Sequence, residues 1–130
     1  MKFAELEISG AYLWGQKRHA YERGFFARQF CRHELAAVDI EFDIKQCNLS
    51  KNYRAGALRC MHYQDEPYPE IKLVSCMRGR CYDVIVGLSL ESKTYLRWIS
   101  SEHSHNNGRD MYIPQEWCDT RRWKTMAAVY

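Results

Sequence analysis

Arg59-Cys60-Met61-His62-Tyr63-Gln64, followed by Lys72, brings an arginine, a histidine and a lysine close together within alternating, strand-like sequence. These residue types are those of proton transfer and anion binding. An imidazole titrates near working pH, and a guanidinium presents a planar fork of donors. The same types also suit an ordinary sheet with a surface arginine and a structural histidine, and the stretch alone leaves both readings open. Along a strand, residues two apart share a face. Met61 and Tyr63 therefore point one way and Cys60, His62 and Gln64 the other, with Arg59 on the face of Met61 unless a bulge intervenes. Gly56-Ala57-Leu58 leads in, and Asp65-Glu66-Pro67-Tyr68-Pro69 reads as the loop out.

The elements that must position these groups belong to one domain, residues 1–130, large enough for a core. At 46% hydrophobic and 14% aromatic the chain is not disordered. No apolar run is long enough to span a membrane. The start, Met1-Lys2-Phe3-Ala4-Glu5-Leu6-Glu7, alternates apolar and charged residues unlike a signal peptide. The expected location is the cytoplasm. A net charge of +3 with interspersed signs, and no basic stripe with interleaved aromatics, argues against a nucleic-acid partner. Six cysteines, at 31, 47, 60, 76, 81 and 118, show no Cys-x-x-Cys spacing, so no zinc site is expected. Cys76 and Cys81 flank a probable hairpin turn and can face one another, as thiols in a reducing compartment.

Leu6 and Ile8 alternate with polar neighbours, which predicts an opening strand. Gly10 and Gly15 punctuate the segment around Trp14. Tyr21 to Phe26 predicts a turn at Gly24 with two core phenylalanines, and 31–38 a short helix. Ile40-Glu41-Phe42-Asp43-Ile44-Lys45 alternates strictly and predicts the cleanest half-buried strand in the chain. Two strands are expected over 71–77 and 81–88 around Arg78-Gly79, with Tyr82, Val84, Val86 and Leu88 on one face. Another is expected over 94–100. Asn106-Asn107-Gly108 is a turn before Met111-Tyr112-Ile113. Short strands divided by turns imply an all-β sandwich or barrel. The stretch 115–130 has neither a period of two nor a helical period.

Six fragments then occur in order: Glu22-Arg23-Gly24-Phe25-Phe26, Gln46-x-Asn48-x-Ser50, Leu58-Arg59-x-Met61-His62-Tyr63-Gln64, Lys72-Leu73-Val74, Arg78-Gly79-x-x-Tyr82-Asp83-Val84 and Asn107-Gly108-Arg109-x-x-Tyr112-Ile113-Pro114. The ordered set, from about residue 10 to 114, resembles the dTDP-4-dehydrorhamnose 3,5-epimerase family of nucleotide-sugar isomerases. The resemblance implies a cupin-like jelly roll, incomplete at the C-terminus, of a family that is usually dimeric. It implies a dTDP-4-keto-6-deoxy sugar as substrate, inverted at carbons next to the keto group on the way to dTDP-L-rhamnose, with no metal or organic cofactor. His62 matches the family base and Lys72 the cation that stabilises charge on the keto oxygen. Arg23, Gln46, Asn48 and Arg59 match positions that hold the nucleotide. Phe26 either packs against the base or belongs to the core. Arg23 is expected to act across a homodimer interface.

The chain also departs from the family. Cys60 stands where Gly is usual, Arg28 where many members have a nucleotide-binding Glu, and Gly87 where Asp is common. His103 and His105 have metal-like spacing in what the family makes an ordinary strand end and turn. After Pro114 the family continues Gly-Phe-Ala-His-Gly-Phe, and Asp119 falls at its substrate-binding His. The family then supplies a Tyr acid and an Asp that orients the catalytic His, and the resemblance gives Tyr130 no claim to that acid role. Arg121-Arg122-Trp123-Lys124-Thr125-Met126 can be encoded AGA CGC TGG AAG ACA ATG. Read one frame over with a leading C, this gives Gln-Thr-Leu-Glu-Asp-Asn, a string such epimerases carry after that segment. The expectation is a shortened chain whose tail, 115–130, is read out of frame. Resequencing the gene past codon 114 tests it, and codons that do not permit the second reading sink it.

Three functions follow as expectations. The first is an epimerase by descent, with little activity in a chain that lacks the orienting Asp and the acid. The second is a non-catalytic nucleotide-sugar binding remnant, with unpaired strand edges left by the missing late strands. The third is a metal-dependent cupin, which would need a His-x-His pair with a carboxylate and a later His. His62 has no His two residues away, so no metal is expected.

Overall fold

In the computed structural model, the described residues are 1–130 except 42, 63, 65, 66, 91, 115–123 and 130. Ten strands and one short helix follow one another: β1 (Lys2–Glu5), β2 (Tyr12–Gly15), β3 (Arg18–Tyr21), β4 (Gly24–Ala27), α1 (Arg32–Ala36), β5 (Ala57–His62), β6 (Lys72–Ser75), β7 (Arg80–Val86), β8 (Trp98–Ser104), β9 (Arg109–Ile113) and β10 (Lys124–Val129). They build two four-stranded sheets, β1-β2-β9-β6 and β5-β10-β7-β8, and a separate two-stranded β3–β4 ribbon. The strands pair antiparallel throughout the described residues. This is the expected all-β, cupin-like jelly roll.

Period-two alternation sorts the first sheet into two faces. Leu13, Val74, Met111 and Ile113 point inward and pack with Ile8, Ala11, Ile85 and Ile99 between the sheets. Trp14, Tyr112 and Leu73 point outward, where Leu35 of α1 and Ile40 cover them. Lys72 is opposite Ile113 and two residues from Val74, so it belongs to the inward face.

Several expectations change. The opening strand lies one turn earlier than the Leu6–Ile8 alternation implied, and Ile8 is fully buried beyond its end. The 40–45 strand does not form among its described residues. Ile40 is buried, but Glu41 and residues 43–50 are exposed and paired to no strand, and alternation without a neighbouring backbone makes no ladder. Phe42 lies outside the described residues. The turn at Arg78-Gly79 is not a hairpin: β6 pairs with β9 and β7 with β8 and β10, so the chain crosses from one sheet to the other there. The strand expected over 94–100 begins only at Trp98, because Thr94 to Arg97 is a turn. Part of 115–130, without any period, supplies β10 between β5 and β7. Residues 115–123, which include Asp119 and the first half of the proposed frame-shifted string, lie outside the described residues.

Candidate functional site

β5 carries a bulge. Thr125 of β10 is the partner of His62 and Ala127 is the partner of Arg59, so Cys60 and Met61 together span the place of one residue of β10. Positions 125 and 127 share a face, and so Arg59 and His62, three apart in sequence, also share one. On β7, Ile85 is opposite 125 and Asp83 opposite 127. Ile85 is fully buried in the core between the sheets. The Arg59–His62 face is therefore the inward face of the second sheet, looking toward Lys72 on the inward face of the first.

The Arg59 guanidinium donates from Nη2 to Asn52 Oδ1 at 3.3 Å. Lys72 Nζ lies 3.0 Å from Glu70 Oε1. Among the described residues no hydrogen bond or ion pair holds the His62 ring. Arg59 and His62 are exposed, and Lys72 is half-buried.

The other nucleotide candidates stand apart. Arg23 sits in the turn of the β3–β4 ribbon, exposed, and Phe26 is 69% exposed, so the core alternative for Phe26 is ruled out. The expectation of two core phenylalanines fails with it, because the ribbon pairs only with itself. Phe25 lies under Arg18, whose guanidinium carbon is 4.3 Å from the ring centroid. Arg18 also donates from Nη1 to the Asn106 carbonyl at 2.9 Å and from Nη2 to that of His105, which ties the ribbon to the 105–108 turn. Gln46 and Asn48 are exposed on the stretch that forms no strand. No hydrogen bond joins Arg23, Gln46 or Asn48 to Arg59, His62 or Lys72 among the described residues.

The substitutions flagged in the sequence have local reasons. Arg28 donates to Glu34 Oε1 at 2.7 Å, and Glu34 also accepts from the Met1 ammonium. These donors, the ammonium first, hold the Glu34 carboxyl below its ordinary range. At Gly87 a Cβ would lie 2.6 Å from the Thr94 carbonyl oxygen, so the 92–97 turn occupies the space a side chain needs. Cys60, one of the two bulge residues, is exposed.

The inward face of the second sheet also holds a polar cluster that the sequence did not announce. Cys81, Asp83, Ser101 and His103 are buried there, with Asp83 paired to Ser101 and Cys81 to His103 across the β7–β8 ladder. His103 Nδ1 lies 3.1 Å from the Arg109 carbonyl oxygen. A carbonyl only accepts, so Nδ1 carries the proton. His103 Nε2 faces Asp83 Oδ2 at 3.5 Å, and the Cys81 thiol is 4.0 Å from the same oxygen. Burial pushes the Asp83 carboxyl up to about 6. Burial likewise lowers His103, against the pull of the Arg109 carbonyl. Burial first, then the neighbouring Asp83 and Cys76, push the Cys81 thiol up to about 12. Cys31, Cys47, Cys60, Cys76 and Cys81 are free thiols. The signal available in the sequence was the Cys81-Asp83-Ile85 alternation, hidden by the more apolar Tyr82, Val84 and Val86 between them.

His103 is thus a buried partner of Asp83, while His105 sits in the turn with its ring 6.1 Å from that of Phe25. Among the described residues no group of three or more His, Cys, Asp or Glu side chains is placed to hold a metal ion. No helix there is long and apolar enough to cross a membrane.

Comparison with known proteins gives one consistent result. Residues 5–120 match the family described as dTDP-4-dehydrorhamnose 3,5-epimerase. A curated dTDP-4-dehydrorhamnose 3,5-epimerase of Shigella flexneri is 35% identical over 116 residues, covering 88% of this chain and 64% of that protein. The corresponding protein of Sinorhizobium fredii is 32% identical over 114 residues, with 88% and 58% covered. The chain therefore spans about three-fifths of the length of these relatives. The crystal structure of the Bacillus anthracis enzyme with TDP and pyrophosphate bound superimposes with a TM-score of 0.90 at 27% identity, covering 98% of this chain and 70% of that one.

Proposed function

The chain belongs to the dTDP-4-dehydrorhamnose 3,5-epimerase family, and we propose that its barrel interior binds a dTDP-linked 4-keto-6-deoxy sugar and moves protons at the carbons beside the keto group. The observation that carries this reading is the β5 bulge, which sets Arg59 and His62 on one inward face opposite the face of Lys72. A proton beside a ketone is removed as the carbonyl oxygen takes up negative charge. The base must then reach the C–H bond while the cation meets the carbonyl oxygen, so the two act at different atoms of the sugar. His62 is assigned as base, Lys72 as the enolate-stabilising cation and Arg59 as the diphosphate contact, for which a two-donor fork is suited. The free thiols agree with a cytoplasmic setting.

Arg23, Phe26, Gln46 and Asn48 complete the nucleotide site in this reading only when a second copy is present. Among the described residues the β3–β4 ribbon pairs with no other strand, and it exposes Tyr21 at 55% and Phe26 at 69%, a surface suited to a neighbour. A homodimer that shares these residues across its axis is the proposed assembly. Sedimentation of wild type against Phe26→Asp tests it, and a wild-type monomer at all concentrations overturns it.

A second reading, binding without turnover, is favoured by the unheld His62 ring, because a catalytic imidazole needs a partner that fixes its tautomer. One experiment separates the readings. dTDP-4-keto-6-deoxyglucose is incubated with the protein in deuterium oxide, and deuterium at carbons 3 and 5 is followed while binding is titrated. Binding with exchange supports the epimerase, binding without exchange supports the second reading, and a folded sample that binds nothing removes both.

A further inference from the structure

His103 and Asp83 present a physical inconsistency that only a positive charge resolves. The Arg109 carbonyl keeps the His103 proton on Nδ1, so Nε2 offers a lone pair. That lone pair faces a carboxylate oxygen at 3.5 Å with both side chains fully buried. Two acceptors turned toward each other in a low-dielectric interior repel, and neither can turn to water. Among the described residues, Asp83 Oδ1, His103 Nε2 and Ser101 Oγ are all buried without a hydrogen-bond partner. One proton placed between Oδ2 and Nε2 converts the repulsion into a hydrogen bond and leaves the pair neutral. Without it the pair carries one negative charge.

We propose that Asp83 and His103 share a single exchangeable proton and act as positioning residues that set how strongly the Arg59–His62 face holds an anionic diphosphate ligand. The ligand class rests on the nucleotide-sugar reading above. The placement is specific. Asp83 is opposite position 127 of β10, whose other partner is Arg59, so the two stand in one row, two strand spacings apart on the same face. Other groups around the pair are Cys81 on its own strand, Ser101 on β8 and Arg109 on β9. Arg59 and His62 on β5 share the face, and Lys72 on β6 looks onto it from the other sheet. The Cys81 thiol stays protonated through the relevant range.

The test is calorimetric titration of dTDP-glucose, whose diphosphate keeps a constant charge, between about pH 5 and pH 8. Releasing the shared proton adds one negative charge about 10 Å from Arg59. The expected loss of affinity is on the order of tenfold at an effective dielectric of about 20. The measurement is made in His62→Asn, so that the imidazole on the same face contributes nothing to the profile. The step persists there and disappears in the double variant His62→Asn with Asp83→Asn. A flat His62→Asn profile, or a step that survives Asp83→Asn, overturns the proposal. Carbon-13 titration of the Asp83 carboxyl gives a second readout that needs no ligand. A midpoint well above an ordinary aspartate, moved by His103→Leu, is expected, and an ordinary midpoint overturns the shared proton. If dTDP-glucose binds at no pH, the nucleotide-sugar reading and the ligand effect fall together, and the carboxyl titration still decides whether the pair holds its proton.

Discussion

Arg59 and His62 stand three residues apart yet lie on the same face of β5, because two residues, Cys60 and Met61, fill the span of one on β10. A regular strand would send them to opposite faces. The bulge is what turns a guanidinium and an imidazole into neighbours.

Their separate roles predict separate losses. Arg59→Lys keeps the charge and loses the two-donor fork, and dTDP-glucose affinity falls by about five- to tenfold. His62→Asn leaves that affinity within about threefold and removes whatever deuterium exchange wild type shows. Calorimetry and mass spectrometry of the recovered sugar check both. Equal losses of affinity in the two variants would place His62 at the phosphates rather than at the sugar.

The pH dependence of stability carries opposite signs at two adjacent buried groups. Asp83 titrates higher in the fold, near about 6, than its ordinary 3.8. Its contribution is fully present below the ordinary value and is lost as pH rises through about 6. His103 is lowered from 6.5, so its contribution is present above that value and is lost as pH falls through its folded value. Asp83→Asn removes the first component. At about pH 8 it is expected to stabilise the fold by on the order of 2 kcal/mol, with the gain vanishing near pH 4. Urea unfolding across this range measures it, and a gain that is equal at both ends shows that Asp83 does not titrate with folding.

Gly87 stands where the resemblance leads one to expect an aspartate, and the structure gives the reason for glycine. A Cβ would meet the Thr94 carbonyl oxygen at 2.6 Å while the Gly87 backbone bonds both Leu96 and Arg97. Gly87→Asp is expected to cost about 1–3 kcal/mol. Thermal unfolding checks this, and an unchanged midpoint means that the 92–97 turn gives way freely.

The legible part of the molecule is the part in which local pattern and environment agree. An all-β sandwich or barrel could be read from short strands and turns, the jelly roll only through the family resemblance, and α1 from the three-residue spacing of Leu35 and Val38. His62, Lys72 and Arg59 were legible as residue types, but their common orientation was not, because a bulge leaves no mark in a single strand's alternation. The 40–45 stretch shows the opposite failure: perfect alternation, but no strand alongside to pair with among the described residues. β10 has no period at all and still forms, since backbone pairing on both sides does not depend on side-chain pattern. Asp83 and His103 were hidden because each lies on a strand whose intervening residues drew attention to the other face.

β5 meets its sheet only through β10 among the described strands, and the partners in that ladder lie roughly sixty to seventy residues apart along the chain. β7 and β8 close over a much shorter stretch. Loop-closure entropy penalises the longer connection, and pairings of high sequence separation are slow to form. During refolding the wall that carries Arg59 and His62 is therefore added after the β7–β8 hairpin is in place. Pulse-labelled hydrogen exchange is expected to protect the amides of β7 and β8 before those of β5. Competence for the proposed ligand is then expected to follow formation of the β7–β8 hairpin, and a mild denaturant is expected to abolish it before the rest of the barrel opens.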